Sequence, residues 1–168
     1  MGLIDYLEIR ENGINNPYCR QNLRNFGLME EIATQSRPYF FGGAISLVFS
    51  SGILYRCHQD FDLFALPEDF GYWLDFFQSR GITMKEDVSR DGRPIFRGMS
   101  GGEWIFDAKF VPFDSLADDN RPYEIMTAQV GPYNVNIISP EYNRWQKVWM
   151  LFKGEGRTKD FRDLQVYE

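Results

Sequence analysis

Hydrophobic and polar positions change period several times along the chain, and each change marks an element. Between residues 20 and 36, Leu23, Phe26, Met29, Ile32 and Ala33 recur at spacings of three and four, the stripe of an amphipathic helix. Arg37-Pro38 ends it, since the residue before a proline is pushed out of helical backbone space. Tyr39-Phe40-Phe41 reads as a short buried strand, stopped by Gly42-Gly43. A second helix over 44–51 carries Ala44, Leu47 and Val48 on one face. Asp60 to Leu66 reads as a strand, and Pro67 begins a helix of 67–80 with Gly81 just beyond it. Segments near 82–88, 94–99 and 103–111 are strands, separated by the turns Arg90-Asp91-Gly92 and Ser100-Gly101-Gly102. After the polar loop Leu116 to Pro122, Tyr123–Val130 and Tyr133–Ile138 form a further hairpin around Gly131-Pro132. Helical period returns over 140–152 and 158–166, broken by Gly154-Glu155-Gly156. In these helices Trp145, Trp149, Leu151 and Phe152, and then Phe161, Leu164 and Val166, are expected to pack inward.

The order predicts an α/β (α+β) fold, a mixed sheet flanked by helices with a short helical C-terminus. Residues 1–19 hold the turn signals Asn12-Gly13 and Asn15-Asn16-Pro17 and read as an N-terminal extension. Residues 20–168 then make a single domain, with a core at about 38–138 and C-terminal helices at about 140–166.

Composition narrows the function classes. Hydrophobic residues are 43% of the 168 and aromatic residues 17%, enough for a substantial core, so disorder is excluded. The 18 Lys and Arg against 24 Asp and Glu leave a formal charge of -6, which argues against coating duplex DNA. No apolar run approaches the ~18 residues that span a bilayer. Met1 to Glu8 lacks the basic and apolar regions of a signal peptide, so a soluble, cytoplasmic protein is expected. Two cysteines, Cys19 and Cys57, are too few for a disulfide framework or a thiolate zinc site.

Three acids carry the candidate chemistry. Asp60 and Asp62 are two apart on the expected strand and project from one face, with Phe61 and Leu63 on the other. Two carboxylates this close repel, and keeping both ionised calls for a cation between them. Mg²⁺ suits such a pair, being a hard ion that takes carboxylates together with substrate phosphates. A solvated strand face is the bland alternative. Upstream, Gly42-Gly43 joins a strand to a helix, a turn whose backbone N–H groups can approach a phosphate. Downstream, Asp107 is the one acid inside the strand Trp104 to Phe110. If its strand neighbours that of Asp60 and Asp62, the three carboxylates suit two metal ions.

At this point the chain resembles the polymerase-beta-like nucleotidyltransferase superfamily. That family's pattern is a strand, Gly-Gly or Gly-Ser opening a helix, a strand with Asp-x-Asp, then a third acid on a later strand. Gly42, Gly43, Ser46, Asp60, Asp62 and Asp107 match it in order. Tyr55-Arg56-Cys57-His58-Gln59-Asp60-Phe61-Asp62-Leu63 resembles the Thr-Arg-x-His-x-Asp-x-Asp-Leu segment of lincosamide and aminoglycoside nucleotidyltransferases, with Tyr55 in place of Thr. Ser139-Pro140-Glu141-Tyr142, Lys147 and Lys159-Asp160-Phe161-Arg162-Asp163-Leu164 are similar to elements of small, toxin-type nucleotidyltransferases.

The resemblance implies an enzyme that moves a nucleoside monophosphate from an NTP to a hydroxyl acceptor, with Mg²⁺ held by Asp60, Asp62 and Asp107. Gly42, Gly43 and Ser46 would cradle phosphates and Arg56 would clamp them. His58 would bond phosphate, orient an acid or simply pack. Lys147 and Lys159 fall on the family's nucleotide-binding positions. A small-molecule acceptor is expected from the Arg56-x-His58 segment and the acidic charge. The C-terminal match keeps tRNA or a protein open, and a non-catalytic nucleotide- or partner-binding module is the rival class.

Overall fold

The most apolar strand of the sequence lies in the interior of the sheet. The computed structural model describes residues 1–10, 17–90, 92–116 and 123–165, with only the backbone for 17–23. The strands are β1 (Glu8–Ile9), β2 (Tyr39–Gly42), β3 (Ile53–Leu54), β4 (Phe61–Ala65), β5 (Thr83–Val88), β6 (Pro94–Ser100), β7 (Glu103–Phe110), β8 (Ile125–Val130) and β9 (Tyr133–Ile138). The helices are α1 (Pro17–Ala33), α2 (Gly43–Ser51), α3 (Phe70–Gln78), α4 (Pro140–Phe152) and α5 (Thr158–Gln165). Seven strands form one mixed sheet in the order β5-β6-β7-β4-β2-β9-β8, and β1 pairs with β3 apart from it. Strand β4 runs antiparallel to β2 and parallel to β7.

Alternation along these strands divides the sheet into two unlike faces. Phe41, Phe61, Leu63, Phe106, Ala108 and Ile137 are buried in one core with Phe26 and Ile32 of α1, Val48 of α2 and Trp73 and Phe77 of α3. The Phe77 and Phe106 rings lie 4.4 Å apart. Burying a side chain of this size contributes ~1.5–3 kcal/mol, which secures the strands against register slip. The other face carries Phe40, Gly42, Asp62, Phe64, Asp107 and Lys109. Among the described residues, no helix is long and apolar enough to cross a membrane.

The N-terminal residues take part in this packing. Leu3 is fully buried and Leu7 nearly so, and the Leu3 N–H donates to Glu30 Oε2 at 2.8 Å. The pairing of β1 with β3 is two residues long, too short to leave a periodic signal.

Two expectations for the C-terminus are overturned. Helix α4 begins where Ser139 Oγ accepts from the Tyr142 N–H at 3.3 Å. It buries a polar stripe, Asn143 and Lys147, and leaves Trp149 42% and Phe152 84% exposed. The rings stack on one another outside, Trp145 on Trp149 at 5.7 Å and Trp149 on Phe152 at 6.4 Å. Leu151 is only partly buried. In α5, Phe161 is exposed and Leu164 half-buried, whereas Asp160 and Asp163 are fully buried; Val166 lies outside the described residues. The cause is charge: both acids pair with cations already held inside, and that fixes which side of α5 turns inward.

Candidate active site

Strand register puts the site together. Asp62 is the Cα partner of Gly42 on one side and of Asp107 on the other. The carboxylates of Asp62 and Asp107 therefore leave adjacent strands on the same face, next to the strand-to-helix turn. Asp60 lies just before β4 rather than within it, half-buried at the entrance to the strand. Its negative charge still acts on Asp107, as that of Asp62 does on both.

The glycine turn is built by close approach. Gly43 has φ +58 and Asp62 Oδ2 occupies the place where its Cβ would stand. At Gly42 a Cβ would meet Phe64 Cε2 at 2.6 Å. Glycine is needed at 43 both for its backbone angle and for the acid behind it. Gly43→Ala is expected to destabilise the protein by about 1–3 kcal/mol and to displace Asp62. Denaturant unfolding and nucleotide binding measured on the same variant check both effects.

Each acid has its own surroundings. Lys109 Nζ donates to Asp62 Oδ1 at 3.3 Å. Asp107 Oδ1 accepts from Trp104 Nε1 at 3.0 Å and lies 3.8 Å from Arg97 Nε. Burial, then the charges of Asp62 and Asp60, push the Asp107 carboxyl up to about 6 against the pull of Lys109 and Arg97. Burial and Asp62 raise Asp60 as well. Burial and mutual repulsion that together raise two neighbouring carboxyls make this cluster a candidate functional site.

Among the described residues, no three His, Cys, Asp or Glu side chains are gathered closely enough to form a ready-made metal site. Asp62 is turned to Lys109 and Asp107 to Trp104. The donor set itself fits a divalent cation: hard carboxylate oxygens whose repulsion a positive ion would relieve.

The other residues singled out by sequence fall into three places. Ser46 is fully buried in α2, where its Oγ donates to Gly43 O at 2.8 Å and accepts from Asn143 Nδ2. Arg56 and Lys147 belong to a buried charge cluster under α5. Asp163 Oδ1 accepts from Arg56 Nε at 2.6 Å and from Tyr55 Oη at 2.9 Å. Asp163 Oδ2 accepts from Arg56 Nη2 at 3.1 Å and lies 2.6 Å from Lys147 Nζ. Lys147 Nζ also donates to Asp160 Oδ1 at 3.1 Å. Burial opposes ionisation of Asp163, but Arg56 and Lys147 outweigh it and hold its carboxyl down at about 2. His58 is buried against the Tyr55 ring, and its Nε2 has no hydrogen-bond partner among the described residues. Lys159 is half-buried, and its positive charge acts on Asp60.

Beside Gly42 and Gly43 a pocket opens on the sheet face, walled by Phe40, Phe64, Tyr123 and Tyr142 and edged by Lys109 and Arg93. Phe40 and Phe64 stack at 4.6 Å, and Tyr123 meets Tyr142 edge-on at 5.7 Å. Sequence reasoning passed over Lys109, Arg97, Trp104 and Tyr123. Lys109 carried a signal: it is two residues beyond Asp107 on one strand and so shares its face.

Comparison with solved structures finds the same arrangement of elements. The solution structure of the antibiotic-resistance factor ANT(2'')-Ia matches with a TM-score of 0.59 and 16% identity, over 89% of this chain and 80% of that one. The lincosamide antibiotic adenylyltransferase LnuA, bound to lincomycin, matches with a TM-score of 0.54 and 14% identity, over 88% and 94%. The chain has a nucleotidyltransferase-like fold. An antigenic nucleotidyltransferase-like protein from Paracoccidioides brasiliensis shares that fold too, with a TM-score of 0.51 and 17% identity over 83% of this chain and 71% of that one. No protein-family model matches the sequence, and no curated protein is significantly similar to it. The nucleotidyltransferase-like fold thus rests on three-dimensional likeness.

Proposed function

We propose that the protein transfers a nucleoside monophosphate from an NTP to a hydroxyl group of a small molecule. The observation that carries this reading is the register match of Asp62 with Asp107 beside the Gly42-Gly43 turn. In the reaction the acceptor oxygen forms a bond to the α-phosphorus, the bond from α-phosphorus to the β-bridging oxygen breaks, and pyrophosphate departs with that electron pair. Such chemistry asks the protein mainly to position groups and to neutralise charge. Asp60, Asp62 and Asp107 would hold Mg²⁺, which when bound neutralises the triphosphate. Asp107 would also take the proton of the attacking hydroxyl. The Gly42-Gly43 backbone and the start of α2 receive phosphate oxygens, and Lys159 supplies a point charge at the Asp60 side. Arg56 and Lys147, whose charges are engaged by Asp163 and Asp160, serve the nucleotide through the segment they hold in place, and His58 packs beneath it. The aromatic pocket takes the ring portion of a bound molecule.

ANT(2'')-Ia has been captured with adenylyl-2''-tobramycin and LnuA with lincomycin, which supports the small-molecule acceptor. A second reading, an RNA acceptor, draws on the exposed stack of Trp149 and Phe152 with Lys153 Nζ 4.8 Å from the Trp149 ring, since aromatic rings with cations nearby suit unpaired bases. Pyrophosphate release with each NTP and Mg²⁺, against a panel of hydroxyl-bearing small molecules and tRNA, separates the two. Release that depends on a small molecule supports the first reading, and release that depends on tRNA alone replaces it with the second.

A further inference from the structure

Helix α5 is docked in an unusual way. It has Phe161 and Leu164 available for apolar burial, yet Phe161 stays 58% exposed while Asp160 and Asp163 are fully buried. Ion pairs taken out of water stabilise less than apolar packing of similar volume, because desolvation offsets much of the attraction. What such a network supplies is one defined arrangement. Here the arrangement joins the Tyr55-Arg56 segment that leads to Asp60 with the first turn of α5.

Asp163 receives Tyr55 Oη, two nitrogens of Arg56 and Lys147 Nζ. It thereby holds the beginning of the segment that ends in Asp60. Asp160 receives Lys147 Nζ, the Arg157 N–H at 2.8 Å and Arg157 Nε at 3.4 Å. It thereby holds the first turn of α5, where Lys159 is its neighbour. Lys147, the only side chain that bonds both acids among the described residues, ties the two halves together. Outside the network stand Lys159 and Asp60, both half-buried, each within the other's field. Neither makes a hydrogen bond or ion pair among the described residues.

We infer that Asp160 and Asp163 are positioning residues for nucleotide binding, forming a buried ionic latch that aims Lys159 and Asp60 at the triphosphate. The inference rests on the nucleotidyl-transfer reading above. The latch acts at a distance: its acids touch cations of the protein, and of the groups it positions Lys159 and Asp60 are the ones that reach the ligand. A helix docked merely for stability would have no reason to leave a half-buried ammonium and a half-buried carboxylate without partners.

A double-mutant cycle read by calorimetry tests this, using a non-hydrolysable NTP analogue with Mg²⁺ on the full chain. Lys159→Ala should weaken binding about tenfold or more, the scale of a lost charged hydrogen bond. Asp160→Asn should weaken it by a similar factor. The double variant should bind no more weakly than Lys159→Ala, because the acid acts through the lysine. Losses that multiply, or a folded Asp160→Asn variant with wild-type affinity, overturn the inference. Asp163→Asn, isosteric and still able to accept from Tyr55 and Arg56, is the second variant should Asp160→Asn fail to unfold cooperatively. Weakened binding is expected from it, and wild-type affinity again refutes the latch. Absence of any binding by the wild type strikes the nucleotidyl-transfer reading instead. Binding abolished by Asp62→Asn but untouched by Asp160→Asn and Asp163→Asn removes the latch alone.

Discussion

Asp62→Asn should reduce nucleotidyl transfer by at least ~10²–10³-fold, the loss seen when one preorganised electrostatic group is removed from a reaction centre. Asp62 stands at the crossing of every local relation in the site. It is the register partner of both Gly42 and Asp107, its carboxylate fills the space over Gly43, and it accepts from Lys109. The substitution keeps the shape and removes the charge. Folding should survive, because repulsion among Asp60, Asp62 and Asp107 is relieved, and Asp107 should ionise more readily. Stability is therefore expected to hold level or rise slightly when no metal is present. Steady-state kinetics alongside thermal unfolding checks this: a large fall in rate with an unchanged or higher Tm is the expected pair. A variant that keeps its activity would remove Asp62 from the reaction.

Acid should destabilise the protein through His58. Burial, reinforced by the charge of Arg56, lowers its pKa from an ordinary 6.5 to about 3. The folded state thus binds fewer protons than the unfolded state between these values. The stabilisation is full above about pH 6.5 and is lost as pH falls toward 3, at about 1.4 kcal/mol per pH unit. Asp107 works against it, since its raised pKa of about 6 makes the folded state the better proton binder between there and an ordinary 3.8. Asp163, held at about 2, adds acid sensitivity only below 3.8. The clean measurement is the difference between the wild type and His58→Gln. From pH 7 to 4.5 the wild type should lose about 2–3 kcal/mol relative to the variant, read from urea unfolding at each pH. Parallel curves would show that His58 takes up its proton in the folded state as easily as in the unfolded one.

Much of this molecule was legible in its residues, and the parts that were not share a physical reason. The apolar strand Tyr39 to Phe41, the glycine turn and the strands bearing Asp62 and Asp107 followed from alternation and turn chemistry. Their pairing did not follow, because register between β4 and β7 is set across 45 residues of chain. Asp60 was expected on the strand, and it sits at the strand's threshold because Phe61 is the first residue whose backbone pairs with β7. The largest departures lie in α4 and α5. Apolar periodicity points Trp149, Phe152 and Phe161 inward, yet the buried positions went to Asn143, Lys147, Asp160 and Asp163. A helix turns toward its strongest partners, and the partners here were charges on distant segments. Arg56 and Asp163 are 107 residues apart, so no window of local sequence displays the pair.

The most direct test follows the phosphorus. Protein incubated with Mg²⁺, an NTP labelled at its α-phosphate and a panel of hydroxyl acceptors should move label onto one acceptor. One pyrophosphate should appear for each transfer, at a rate lower by at least ~10²–10³-fold in Asp62→Asn. Label that stays on the NTP with every acceptor, or a transfer that Asp62→Asn leaves intact, would contradict the account.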